Sequence, residues 1–238
     1  MMQITYLLIN FFTVIICFIY SFHPKIKFNR YFGAFLKSSI LVGTVFVLWD
    51  AWFTKKGVWW FNDQFLLGIR ILGLPVEELM FFICIPFSCV FTYFCLTKFF
   101  KWNINPTLER IYVLISVVFY AVLGIVFHHH IYTAFTFMSL SISLLVLYYA
   151  LGIRWIAQAT VIYIILLPGF LIVNGLLTGT ALPAAIVNYN PADFMGIRIL
   201  TIPVEDAFYG FELILWNLYF FKKFAKKIIL KRDDFCKK

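Results

Sequence analysis

The feature that most constrains this chain is a succession of apolar runs too long for a soluble core. Seven of them, near residues 3–22, 31–53, 75–97, 108–127, 131–150, 155–176 and 200–222, could each cross a bilayer, since about 30 Å of hydrocarbon takes roughly 17–25 residues of helix. A backbone in lipid must satisfy its own hydrogen bonds, so runs of this length predict helices. The expected fold is therefore all-α: a polytopic membrane helical bundle of about seven transmembrane helices, with residues 1–238 forming a single integral domain. A composition of 63% hydrophobic and 13% charged residues excludes an ordinary soluble domain. The run at 131–150 is the least sharply bounded, because Thr and Ser dilute it. The first run has no basic segment before it and no small-residue cleavage pattern before His23-Pro24, and reads as a retained span.

Within this apolar frame the chain repeats itself. Residues 68–78 read Gly-Ile-Arg-Ile-Leu-Gly-Leu-Pro-Val-Glu-Glu, and residues 196–206 read Gly-Ile-Arg-Ile-Leu-Thr-Ile-Pro-Val-Glu-Asp. Eight of the eleven positions are identical at an offset of 128 residues, and two of the mismatches are Leu/Ile and Glu/Asp. Upstream, Asp50-Ala-Trp-Phe-Thr54 resembles Asn174-Gly-Leu-Leu-Thr178. Loops closing with Phe61-Asn62-Asp63 and Tyr189-Asn190-Pro191 follow. Two repeats, approximately 1–100 and 129–228, are thus expected, joined by a connector helix at about 108–127. An offset of four spans is even, so the copies are parallel and their acidic ends lie at one depth, facing a shared cavity. Gly-Ile-Arg-Ile-Leu is too short to span and reads as an interfacial or re-entrant segment. Gly68 and Gly196 would allow a turn, and Pro75 and Pro203 would take the first helical position of the next span. Pro168-Gly169 should kink the sixth span.

Charge orients the frame. Of the twenty Lys and Arg residues, sixteen lie on one alternating set of connections, eight of them after the last span. Lys55, Lys56, Arg70 and Arg198 make up the other set. The positive-inside rule then expects a multi-pass protein of the cell membrane with its N-terminus outside and its C-terminus cytoplasmic. The tail from Lys222 to Lys238 reads as a headgroup anchor, so the net charge of +9 points to lipid rather than nucleic acid. Cys17, Cys84, Cys89, Cys95 and Cys236 have no paired spacing and read as small apolar residues.

The candidate chemistry lies in the carboxyls. Glu77, Glu78, Glu205 and Asp206 start two spans, where acids also complement the helix dipole. Matched acidic pairs within a membrane are functional groups by default, and all four are the expected catalytic residues. Arg70 and Arg198, each seven residues before the first acid of its pair, are expected to pair with one carboxylate and tune the other. Asp50 and Asn174 end spans at the same face and would complete the polar lining. Glu212, seven residues after Glu205, is a deeper intramembrane acid belonging to one copy only. His128-His129-His130 reads as an interfacial loop, since no second cluster completes a metal-ligand set. Motifs for a dinucleotide, a zinc hydrolase or a magnesium-bound diphosphate are missing, so neither cofactor nor metal is expected. Acids, bases, aromatics and oil suit proton-initiated chemistry on an apolar substrate dissolved in the bilayer, with some aromatic faces available to a carbocation.

Pro75-Val76-Glu77-Glu78 and Pro203-Val204-Glu205-Asp206, each after Gly-Ile-Arg-Ile, resemble the P-x-E-[ED] motif of the membrane-integral lycopene cyclase domain. In that family the two halves occur as paired small subunits or as fused tandem forms, and this chain resembles a fusion of both halves. The resemblance implies a lycopene β-cyclase of carotenoid biosynthesis: a non-redox intramolecular lyase or isomerase that cyclises the ends of lycopene to β-ionone rings. It implies a lipophilic carotenoid as substrate and membrane lipid as surroundings. Glu77 and Glu205 would be the primary acid-base groups and Glu78 and Asp206 their partners. Relatives acting on longer carotenoids with prenyl-extended ends share the motif. A proton-coupled transporter would also use intramembrane carboxyls, and a structural partner of another enzyme is a third reading. Self-association or a complex with other carotenoid enzymes stays open.

Overall fold

A computed structural model describes residues 2–235, with side chains for residues 3–226. The basic tail is therefore described only in part, and Cys236 lies outside the described residues. The chain folds as an all-α membrane helical bundle. Its helices are α1 (Thr5–Tyr20), α2 (Phe32–Lys56), α3 (Val76–Phe99), α4 (Pro106–Val126), α5 (Ile131–Leu145), α6 (Ile156–Leu177) and α7 (Glu205–Phe235). A π-turn over Val146–Ala150 prolongs α5. Helix α2 with the 3-10 turn Phe28–Tyr31 before it, α3, α4, α5 with its π-turn, and α6 are each long and apolar enough to cross a membrane, and α1 is a shorter apolar helix.

Local chemistry explains where the helices stop and start. Helix α2 ends at Gly57, whose left-handed φ of 75° lets its N–H close back on Phe53 and Thr54 carbonyls. Helix α4 begins at Asn105, whose side chain accepts from Thr107 N–H at 2.8 Å, with Pro106 at the first turn where a missing N–H costs nothing. The last helix starts at Glu205 rather than near residue 200, because the residues before it form a hairpin.

That hairpin occurs twice. Strands β2 (Arg70–Ile71) and β3 (Leu74–Pro75) pair antiparallel, and so do β5 (Arg198–Ile199) and β6 (Ile202–Pro203). Gly68 and Gly196 enter them with the same φ of 83°, and Leu72 and Leu200 take left-handed φ values of 55° and 57° at the tips. Two-residue hairpin loops favour such conformations because they match strand twist. The segment expected as interfacial or re-entrant is therefore a tight hairpin, and Pro75 and Pro203 close the hairpins instead of opening a helix. Pro75, at ψ 147°, precedes α3 as its extended cap.

A third ribbon ties the two loops together. Strand β1 (Trp59–Phe61) pairs antiparallel with β4 (Val187–Tyr189), with Trp59 opposite Tyr189. Asn62 N–H donates to Ile186 O and Asn190 N–H to Val58 O, both at 2.8 Å. The loops before α3 and α7 thus meet at one end of the bundle. Below them α1 packs on α3 and α5 on α7, while α2 lies against both α3 and α7, and α6 against the same two. Helix α4 packs chiefly against α5. The loop holding His128-His129-His130 joins α4 to α5, and His130 Nδ1 lies 2.9 Å from Ala192 O.

Candidate active site

The acidic pairs begin α3 and α7 directly below the ribbon. Glu77, Glu78, Glu205 and Asp206 are all buried. Successive helical residues point about 100° apart, so the two members of each pair face different surroundings.

The first member of each pair turns back to its own loop. Glu77 Oε1 accepts from Leu67 N–H at 2.7 Å, and Glu205 Oε1 accepts from Met195 N–H at 2.9 Å. Both bonds span ten residues, so each carboxyl clamps the chain ahead of its hairpin. Glu205 Oε1 also accepts from Thr133 Oγ1 at 2.5 Å, and Asn10 Nδ2 donates to the backbone carbonyl of Glu77 at 2.8 Å. Oε2 of each glutamate is buried without a hydrogen-bond partner.

The second member faces inward. Glu78 and Asp206 line one cavity of about 50 Å3, together with Asp50, Asn174 and the rings of Trp59, Phe170 and Tyr209. That volume exceeds the roughly 10–15 Å3 that one water needs. Tyr6 Oη donates to Glu78 Oε2 at 2.6 Å, and Tyr132 Oη donates to Asp206 Oδ1 at 2.6 Å. Asp206 Oδ2 accepts from Asn174 Nδ2 at 2.7 Å and from Tyr189 Oη at 2.8 Å. Burial, reinforced by the Asp206 carboxyl, holds the Tyr189 hydroxyl well above the ordinary phenol range. Each acid is thus gripped by a tyrosine from the helix packed beside its own: α1 beside α3, and α5 beside α7.

The arginines do not meet the acids. Arg70 Nη2 lies 2.6 Å from Asp63 Oδ1, and Arg70 Nη1 donates to Gly73 O at 2.9 Å. Arg198 Nη1 donates to Thr201 O, and its guanidinium lies 4.5 Å from the Phe194 ring centroid. The expected arginine–carboxylate pairing within each motif is thereby corrected. The β2–β3 and β5–β6 register turns these side chains across their own hairpin tips, away from the buried acids. Asp50 and Asn174 do reach the acid cavity. Glu212 does not: it lines a neighbouring cavity, where Ser139 Oγ and Ser143 Oγ donate to its two oxygens at 2.7 and 2.6 Å.

Sequence reasoning overlooked Tyr6, Tyr132 and Thr133. The signal was available: Tyr6 lies near the start of the first apolar run and Tyr132 near the start of the fifth, the two runs that the expected repeat would pair.

The family model described as lycopene cyclase matches residues 3–96 and 129–224. A bifunctional lycopene cyclase/phytoene synthase of Leptosphaeria maculans is 27% identical over 86 residues, covering 36% of this chain and 13% of that protein. One of Neurospora crassa is 32% identical over 59 residues, covering 25% of this chain and 10% of that protein. The matched stretches are thus small parts of both longer relatives. No solved structure matches the chain.

Proposed function

This chain belongs to the lycopene cyclase family, and on that premise we propose that it closes the ends of lycopene into β-ionone rings by proton-initiated, non-redox cyclisation. The observation that carries the reading is the buried cavity in which Asp50, Glu78 and Asp206 converge among aromatic rings.

In this reading a carboxyl proton of the Glu78, Asp206 and Asp50 set adds to the terminal double bond of the substrate. The neighbouring double bond attacks the resulting tertiary cation, forming the carbon–carbon bond that closes the six-membered ring. The ring cation then loses a proton to a carboxylate of the same set, so atoms and electrons balance and the product is an isomer. Proton transfer by positioned side chains of this kind contributes about 10²- to 10⁴-fold to a rate. Trp59, Phe170 and Tyr209 offer π faces to the cation, an attraction of about 0.5–2 kcal/mol each where desolvated. Tyr6, Tyr132, Tyr189 and Asn174 hold the carboxyls in place. Glu77 and Glu205, which bind their own loops, serve this reading as positioning residues.

Residues 1–100 and 129–228 are read as two parallel repeats joined through α4, the first supplying Asp50 and Glu78 to the cavity and the second Asn174 and Asp206. The like geometry of the two hairpins and of the Leu67–Glu77 and Met195–Glu205 bonds supports that division. The setting is the cell membrane, N-terminus outside and C-terminus cytoplasmic, as the distribution of Lys and Arg implies.

Pigment analysis of lycopene-accumulating bacteria expressing the chain tests the function. β-Carotene is the expected product, and isolated membranes given preformed, unlabelled lycopene in heavy water should add one deuterium per ring formed. Lycopene persisting beside a well-expressed, membrane-inserted protein would overturn the reading.

A further inference from the structure

The acid cavity is too small for what it is proposed to act on. Its volume of about 50 Å3 falls well below the roughly 300–1,000 Å3 of small-molecule sites. A cavity of about 420 Å3 lies next to it, between α2, α5 and α7. Its wall includes Val42, Val45 and Phe46 of α2, Phe135 of α5, and Trp216 and Phe220 of α7. Leu41, Val45 and Phe135, at 45%, 61% and 40% exposure, place its mouth on the outer, lipid-facing surface of the bundle.

A single aromatic layer parts the two cavities. Phe46 and Trp49 line the large one, and Tyr209 lines the acid one. The Trp49 and Tyr209 ring centroids are 4.8 Å apart, and those of Phe46 and Tyr209 5.2 Å. Trp49 Nε1 and Tyr209 Oη are buried without a hydrogen-bond partner, so turning either ring breaks no hydrogen bond. Glu212, the carboxyl of the large cavity, has both oxygens occupied by serine hydroxyls, which leaves the wall apolar toward a ligand.

A smaller counterpart exists across the bundle. A cavity of about 160 Å3 between α1, α3 and α6 is lined by Gly169 and Phe170. These stand five and four residues before Asn174, as Val45 and Phe46 stand before Asp50. The two grooves flank the acid cavity, but the α2–α5–α7 groove is the roomier and is parted from it by rings whose polar atoms are unpinned.

Resting on the cyclase reading, we propose that the α2–α5–α7 groove holds the linear polyene stem of the carotenoid, with Phe46, Trp49 and Tyr209 as the gate through which its end reaches Glu78 and Asp206. The substrate enters sideways from the bilayer, and a stem left in the groove orients the end that reacts.

The test uses the full chain in lipid nanodiscs, with lycopene as the probe. Binding is read as induced circular dichroism of the polyene band, in a Glu78→Gln background so that no turnover intervenes. Val45→Trp and Leu41→Trp, both at the lipid-facing mouth, are expected to abolish the band and, in the otherwise unaltered chain, to lower kcat/KM at least tenfold through KM. Gly169→Trp, whose position is open in the smaller groove, should leave both within twofold. Thermal melts identify any variant that fails to fold, and either mouth variant suffices. Lycopene bound in a Val45-dependent way but never cyclised would uphold the groove and sink the cyclase reading. Ring formation undiminished in both mouth variants, a block by Gly169→Trp instead, or no induced band at all would overturn the groove.

Discussion

Tyr6 in α1 donates a 2.6 Å hydrogen bond to Glu78 at the start of α3, across 72 residues of chain, and both side chains are buried. Tyr132 in α5 does the same for Asp206 at the start of α7, also at 2.6 Å. A hydrogen bond to a charged group contributes about 1.5–3 kcal/mol. Tyr6→Phe and Tyr132→Phe are therefore each expected to lower turnover about 10- to 150-fold while leaving the protein folded. Pigment conversion rates beside thermal melts measure this; full activity in both variants would remove the tyrosines from the site.

The two carboxyls of each pair should respond differently to amide replacement. Glu78→Gln and Asp206→Asn lose a proton-transfer group and are expected to slow cyclisation by about 100-fold or more. Glu77→Gln and Glu205→Gln keep the carbonyl oxygen that accepts from Leu67 or Met195 N–H, and should stay within about tenfold of the parent. Glu77→Leu orphans the Leu67 N–H and should cost about 1–3 kcal/mol of stability. Inactivity of Glu77→Gln with wild-type stability would return the chemistry to the first carboxyl of the motif.

Arg70 and Asp63 form an ion pair whose Asp63 side chain is 75% exposed. Exposed pairs contribute about 0.2–1 kcal/mol. Arg70→Gln should consequently shift the melting temperature only slightly and leave turnover within about threefold, with Arg198→Gln alike. A hundredfold fall in either would contradict the placement of these side chains at the hairpin tips.

Tyr189 supplies a pH dependence whose sign follows from burial. Its hydroxyl is held above the ordinary value near 10, so the unfolded chain ionises it first as pH rises. The stability it contributes is fully present below about pH 10 and is lost as pH climbs through its raised folded value. Tyr189→Phe should flatten that alkaline loss in melting curves between about pH 9 and 11. An unchanged slope would mean that Tyr189 is not buried against Asp206.

Gly210 lies in α7 on the wall of the acid cavity. A Cβ there would stand 2.8 Å from Phe170 Cζ and 2.9 Å from the Tyr163 hydroxyl, which is itself donated to Ala207 O. Gly210→Val is expected to destabilise by about 1–3 kcal/mol through overpacking of α6 on α7. A variant as stable and active as the parent would show that the two helices have room to separate.

Much of this architecture is legible in the sequence because its causes are local. Runs of apolar residues set the helices, and Gly68 and Gly196 mark the bends that lead into the two hairpins. The twofold occurrence of the Gly-Ile-Arg-Ile stretch showed where matching acidic pairs would be found. Its hairpins were not anticipated, because a two-residue strand is decided by one backbone pairing that no periodicity reveals.

The sequence by itself determined that buried carboxyls would sit at the starts of two membrane helices, because composition and spacing alone place charge within oil. Tertiary structure decided which carboxyl of each pair faces the cavity: neighbours on a helix point about 100° apart, and the packing of α3 on α1 and α7 on α5 sets which one turns inward. It likewise decided the partners. Glu78 and Asp206 receive tyrosines from adjoining helices more than seventy residues away, whereas Arg70 and Arg198, close in sequence to the acids, are carried off by the hairpin register to the tips of their own turns.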